Sequence, residues 1–182
     1  MKLNESAVMK PDLTLFVICL VVTALLAGTN MLTKDRIAEQ AQITAEESRR
    51  IVLSEADAFE ETDGCYTGTR GGEVVGYVFE TEAKGYGGTV QVMTGIDTAG
   101  SITGVVILSH EETPGLGANA ERASFTDQYK QAVPENGITL VKNKTPEAGE
   151  VEALTGATIT SRAVTDAVNA AIEQYNAIKG GA

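Results

Sequence analysis

Hydrophobic residues are distributed very unevenly along the chain. Between Asp12 and Lys34 no charged residue occurs, and Leu13 to Ala27 is apolar almost throughout. At about 1.5 Å per residue, a helix over 13–33 reaches roughly 30 Å, the thickness of a bilayer core. The run is longer than the apolar heart of a secretory signal, and Gly28-Thr29-Asn30 before Met31-Leu32 is a poor small-residue cleavage site, so an uncleaved anchor is the favoured reading. From Lys34 to about Leu53 the background turns to Ala, Glu, Gln and Arg. Ile37, Ala41, Ala45 and Val52, and later Ala56 and Phe59, are spaced for one face of a helix. The pattern predicts a tail at 1–12, a spanning helix at 13–33, a juxtamembrane helix and linker at 34–62, and a domain at 63–182.

Beyond Asp63-Gly64 the period changes from helical to alternating. Cys65 to Arg70 and Val74 to Glu82 flank Gly71-Gly72, a hairpin signal, with Val74, Gly76 and Val78 alternating against Val75, Tyr77 and Phe79. Thr89 to Ile96 and Ile102 to Ser109 flank Asp97-Thr98-Ala99-Gly100, a second strand-turn-strand unit. A helix over Ala118 to Ala132, a short strand at Ile138 to Val141 and a loop from Lys142 to Gly149 follow. The last helix is marked by Val164, Val168, Ala171 or Ile172, Tyr175 and Ile178; it is expected to start at Thr160 or Ser161, either of which can cap it, and to end with Gly180 just past its last turn. Antiparallel strands with segregated helices give an α+β domain.

Charge narrows the partners. Formal net charge is −11; Lys2 and Lys10 balance Glu5 and Asp12, so the whole excess belongs to the part after Thr33. Nucleic acid is an unsuitable partner for such a domain, because its phosphates repel the same sign. Cys19 lies in the apolar run and Cys65 in the soluble part, so they form neither a disulfide framework nor a thiol metal site.

Two stretches carry candidate chemistry. In Thr155-Gly156-Ala157-Thr158-Ile159-Thr160-Ser161, hydroxyls and a glycine lead into the final helix, placing Thr158 just ahead of a helix N-terminus, where free N–H groups and the macrodipole favour a phosphate. An ordinary capped turn uses the same residues, and both readings stand at this point. The second stretch is His110-Glu111-Glu112-Thr113-Pro114-Gly115-Leu116-Gly117, in which Pro114-Gly115 fits the centre of a type II turn. A metal site on His110, Glu111 and Glu112 lacks ligand spacing and a second histidine, and a serine hydrolase lacks its nucleophile elbow. Lys84-Gly85-Tyr86-Gly87-Gly88 lacks the spacing of a nucleotide-binding fingerprint; a plain turn is the favoured reading, with a flexible backbone beside a ligand as the alternative.

Thr155 to Thr158 with Ile159-Thr160-Ser161 resembles the S/T-G-A-T flavinylation motif of FMN-binding subunits of bacterial membrane redox pumps, and His110 to Gly117 resembles the signature loop of the G subunit of Rnf-type electron transport complexes. The likeness covers almost the whole chain. The C subunit of sodium-translocating NADH:quinone reductases shares the domain and the first motif; the short chain and Glu112-Thr113-Pro114-Gly115-Leu116-Gly117 favour the Rnf type. One departure is Glu152, where the family often has Asp; the charge is kept. The resemblance implies an electron-carrying subunit, not a catalyst alone, with one FMN joined by a phosphoester to Thr158 and installed by a flavin transferase. Thr155, Gly156, Ala157, Thr160 and Ser161 would surround the phosphate, and Glu112, Thr113, Gly115 and Leu116 the ring. It further implies partner subunits in a complex that couples electron flow between ferredoxin and NAD to Na⁺ or H⁺ movement, and contact with membrane lipid through one helix. Charges flanking the span, Lys2 and Lys10 against Lys34 and Arg36, nearly tie. Only the resemblance puts the N-terminus inside and the domain on the extracytoplasmic side. Readings of another class are a non-redox membrane-anchored binding domain and a stand-alone FMN-dependent reductase.

Overall fold

The computed structural model of the chain describes residues 5–62 and 64–180, with side chains from Asp12 onward; most of the expected tail and the residue that opens the expected domain thus lie outside the described side chains. Two compact units are formed, 1–43 and 44–182.

The first unit is helical. Helix α1 (Glu5–Val52) is continuous through both the uncharged run and the charged segment after it. Leu13, Phe16, Leu20 and Leu26 are all more than half exposed, and the helix is long and apolar enough to cross a membrane. An all-round apolar helix with no protein over it is suited to lipid. Thr29 and Thr33 turn their hydroxyls back onto the carbonyls four residues earlier, at 2.9 and 3.0 Å, which satisfies them without water.

The second unit is built on a five-stranded antiparallel sheet in the order β1-β2-β3-β4-β5: β1 (Ala58–Thr62), β2 (Cys65–Arg70), β3 (Glu73–Lys84), β4 (Thr89–Asp97) and β5 (Ile102–Ser109). Turn chemistry sets the connections. Gly71 and Gly72 both take positive φ, at 59° and 89°, which gives the twist a two-residue hairpin needs. Gly100 at φ 85° closes the Asp97 turn, helped by the Asp97 carboxylate, which accepts the Ser101 N–H at 2.8 Å.

Both faces of this sheet are covered. On one, Phe79, Val90, Val92 and Ile96 pack with Phe125, Tyr129 and the apolar stripe of α3 (Thr158–Gly180), namely Val164, Ala167, Val168, Ala171, Ile172 and Tyr175. On the other, Val78 and Met93 pack with Val52 and Leu53 from the end of α1. The space for that second contact comes from a furrow of glycines, one from each of β2 to β5: a Cβ on Gly68 or Gly76 would run into the Leu53 side chain, and one on Gly95 or Gly104 into the Val52 backbone. The Thr103 hydroxyl donates to the Val52 carbonyl and so caps the helix end.

Several expectations need correction. Phe59 is in a strand, because α1 stops at Val52 in the furrow and residues 58–62 pair with β2. The helix expected over Ala118 to Ala132 is three short pieces: 3-10 turns at Gly117–Glu121 and Asp127–Tyr129 around the single turn α2 (Ala123–Thr126), broken by the extended backbone of Arg122 at φ −72°, ψ 141°. Beside β6 (Thr139–Val141) lies an unforeseen parallel partner, β7 (Glu150–Glu152). The final helix begins at Thr158, two or three residues earlier than expected, and includes Gly180.

Candidate functional site

Strand β7 delivers the chain to the start of α3 through a turn over Leu154–Ala157, closed by the Ala157 N–H on the Leu154 carbonyl at 3.1 Å. Its third residue, Gly156, has φ 77°, and a Cβ there would also press on Leu116 at 3.3 Å. Ala157 accepts the first intrahelical bond, from the Ser161 N–H at 2.9 Å, and thus occupies the N-cap position. Alanine has no oxygen with which to cap, so the N–H groups of Thr158, Ile159 and Thr160 lack the usual side-chain partner. Ser161, expected as a cap, is spent otherwise: its hydroxyl accepts from the Leu154 N–H and donates to the Ala157 carbonyl, both at 2.9 Å, stapling the turn to the helix.

The second stretch forms the opposite wall. Pro114-Gly115 makes the anticipated type II turn, with Gly115 at φ 79° and the Leu116 N–H on the Thr113 carbonyl at 3.1 Å. Between the walls lies a cleft of about 510 Å³, lined by Tyr86, Glu112, Thr113, Leu116, Gly117 and residues Gly156 to Thr160. That volume suits a small organic ligand.

Glu112 ties the walls together. Its carboxylate, 6% exposed, accepts the Gly87 N–H at 2.9 Å and the Thr160 hydroxyl at 2.5 Å. Burial is the largest single influence on this carboxyl and pushes its pKa up. The bonds from Thr160, Gly87 and Tyr86, with the nearby His110, together outweigh burial and hold the pKa below the ordinary value. His110 braces the loop from behind, accepting the Glu112 N–H on Nδ1 at 3.0 Å, with Nε2 3.0 Å from a Glu121 carboxylate oxygen.

These couplings sort the hydroxyls. Thr160 is committed to Glu112 and Ser161 to the turn, while Thr155 lies exposed outside the cleft lining. Thr158 lines the cleft, is half-buried, and makes no side-chain hydrogen bond among the described residues. It is the hydroxyl of the motif that is both placed and free.

Comparison with known proteins gives the family. Residues 85–173 match the model of the FMN-binding domain family, and residues 1–48 that of the RnfG N-terminal region. Over 98% of its length the chain is 32% identical to the G subunit of the proton-translocating ferredoxin:NAD(+) oxidoreductase complex of Clostridium ljungdahlii, covering 97% of that protein. It is 38% identical to the Na(+)-translocating counterpart of Acetobacterium woodii, covering 96% of this chain and 94% of the other. The chain belongs to the Rnf G-subunit family. Its fold is that of the crystal structure of Shewanella oneidensis NqrC, with a TM-score of 0.52 at 23% identity over 66% of this chain and 65% of that one.

For this member of the Rnf family, the structure brings Glu112, Thr113, Leu116, Gly156, Ala157, Thr158 and Thr160 to one cleft, and leaves Gly115, Thr155 and Ser161 out of its lining. Tyr86, Gly117 and Ile159 were not anticipated there. Tyr86 is carried by the glycine-rich loop that reads as a plain turn in sequence, and the FMN-binding match starting at residue 85 takes that loop in. Its signal is the crowding of glycines around a single aromatic residue. Ile159 is more than half exposed at the start of a helix whose middle buries its apolar residues; at the other end Ile178, expected in the same apolar stripe, is exposed as well, because the helix has run past the sheet.

Proposed function

We propose that the chain is an electron-transfer subunit carrying FMN as a phosphoester on Thr158, within a membrane-bound ferredoxin:NAD oxidoreductase that moves ions. The carrying observation is the Thr158 hydroxyl, which lies on the cleft wall with no side-chain hydrogen bond among the described residues, in the first turn of a helix whose N-cap position is an alanine without a capping oxygen. Such donors with the macrodipole accommodate a phosphate. The lining contains no lysine or arginine, and Glu112 is anionic. In a domain of this charge, loosely bound phosphate would be poorly retained, which gives a covalent tether a physical purpose. The bound flavin supplies the ability to accept and release electrons. The residues of the chain hold it: the first turn of α3 seats the phosphate, Glu112 fixes the distance between the walls, and Leu116 and Ile159 offer apolar surface. Its partners are the other subunits of the complex and, during maturation, a flavin transferase. The helix α1 anchors it with the N-terminus inside and the domain on the extracytoplasmic side.

The test uses protein from cells that contain a flavin transferase. Unfolded in SDS, it should keep flavin fluorescence and an intact mass greater than the bare polypeptide, and Thr158→Ala should abolish both. A fluorescent Thr158→Ala protein would move the attachment elsewhere, and a wild-type chain of bare mass would leave only an anchored, non-redox module.

A further inference from the structure

Tyr86 sits at the tip of the loop between β3 and β4 and is 73% exposed, yet its position is tightly determined. The Gly85 N–H bonds to the Gly88 carbonyl at 2.8 Å, and the Tyr86 and Gly87 N–H groups both donate to the Glu112 carboxylate. A Cβ on Gly85 would collide with Glu112 Oε1, and one on Gly87 with the Glu111 carbonyl, so the loop lies flush against the opposite wall. The backbone that carries the ring is thus fixed beside the cleft, while the ring itself stays exposed. Leu116, 47% exposed, and Ile159, 54% exposed, line the same cleft from the other two segments, and Thr158 lines it with them. Three exposed apolar side chains from three segments of the fold share one cleft with the free hydroxyl.

We propose that Tyr86 is the aromatic surface against which the isoalloxazine ring of the tethered nucleotide lies, with Leu116 and Ile159 as its aliphatic contacts. This rests on Thr158 as the attachment point. A flat heteroaromatic ring has two apolar faces, and a phenol offers an offset-stacking partner for one of them. Covering these three residues also removes apolar surface that water otherwise meets, a favourable change in proportion to the area covered.

An electron-rich phenol in contact with an excited flavin quenches its emission by electron transfer, so fluorescence reports the contact directly. In full-length, flavin-loaded protein in detergent, native emission should lie several-fold below that of the same sample unfolded in guanidinium. Tyr86→Leu should raise native emission towards the unfolded level while flavin per chain on an SDS gel is unchanged, and Tyr86→Trp should restore the quenching. Should the leucine variant load poorly, Tyr86→Phe carries the same test, since a phenyl ring packs similarly but gives up an electron far less readily; its native emission should also rise. Equal native and unfolded emission in the wild type, or a fully loaded Tyr86→Leu or Tyr86→Phe protein quenched as strongly as wild type, overturns the assignment while leaving Thr158 untouched. A wild-type chain without covalent flavin overturns both.

Discussion

Glu112 keeps its charge where a carboxylate is expensive to hold, buried against the first turn of α3. It can do so because donors from two other segments, Gly87 and Thr160, converge on its oxygens. Sequence resemblance offers Glu112 as a contact for the ring; the structure gives it the work of joining the glycine-rich loop to the motif helix. That role has a pH signature. The folded carboxyl titrates below the ordinary value of 4.5. Above that value both folded and unfolded chains are ionised and the stabilisation is complete. As pH falls through it, the unfolded chain takes up the proton first, and stability declines until the folded group is protonated as well. Glu112→Gln, which retains shape but cannot ionise, should therefore be less stable than wild type at neutral pH by about 1–3 kcal/mol, with the gap narrowing below the ordinary carboxyl range. Thermal melts of the flavin-free protein from neutral to acid pH measure it, and two curves that stay parallel would show that Glu112 is not the group responsible.

At the level of elements, the glycine furrow decides where α1 can end. Gly95→Ala would drive a Cβ into the Val52 carbonyl, a backbone group that cannot rotate away, so strand or helix end must shift. Gly68→Ala meets the tip of the Leu53 side chain, a group that can rotate away. Overpacking costs about 1–3 kcal/mol; denaturant unfolding should place Gly95→Ala near the upper end and Gly68→Ala clearly below it, and the reverse order would mean the helix end is not held by backbone contact. This furrow also marks the limit of legibility. Strands β2 to β5 are readable because alternation and turn glycines are local signals, and β2 and β5 fall where their patterns put them. The helix end is readable in part: the change of composition at about Leu53 falls one residue from the end of α1 at Val52, but Ala56 and Phe59 continue the helical spacing, and the contact with the sheet that seats the end is not a local signal. The start of α3 is expected too late because side-chain caps are the usual signal and this helix has an alanine there. The same logic divides the cleft. Its motif residues are visible because the motifs are contiguous, whereas Tyr86 enters through a hydrogen bond to Glu112, from a loop with no recognisable motif of its own.

Considered as a whole, the molecule pairs an uncharged helix of membrane length with an acidic domain, and the flanking lysines and arginine do not fix which side the domain occupies. Long domains cross largely regardless of their charge, so a net charge of −11 after Thr33 is no obstacle to export. The proposed tether is the more useful guide. Inside the cell a dissociated flavin could be replaced from a cytosolic pool, whereas outside it would be lost to dilution, and only an ester would keep the site loaded. Protease added to intact cells stripped of their wall should therefore digest the domain and release peptides that carry the flavin, without prior lysis. A domain that is cut only after the membrane is broken would place it on the cytoplasmic side, and the ester would then need a different reason, such as holding one flavin in place while successive partners take and deliver electrons.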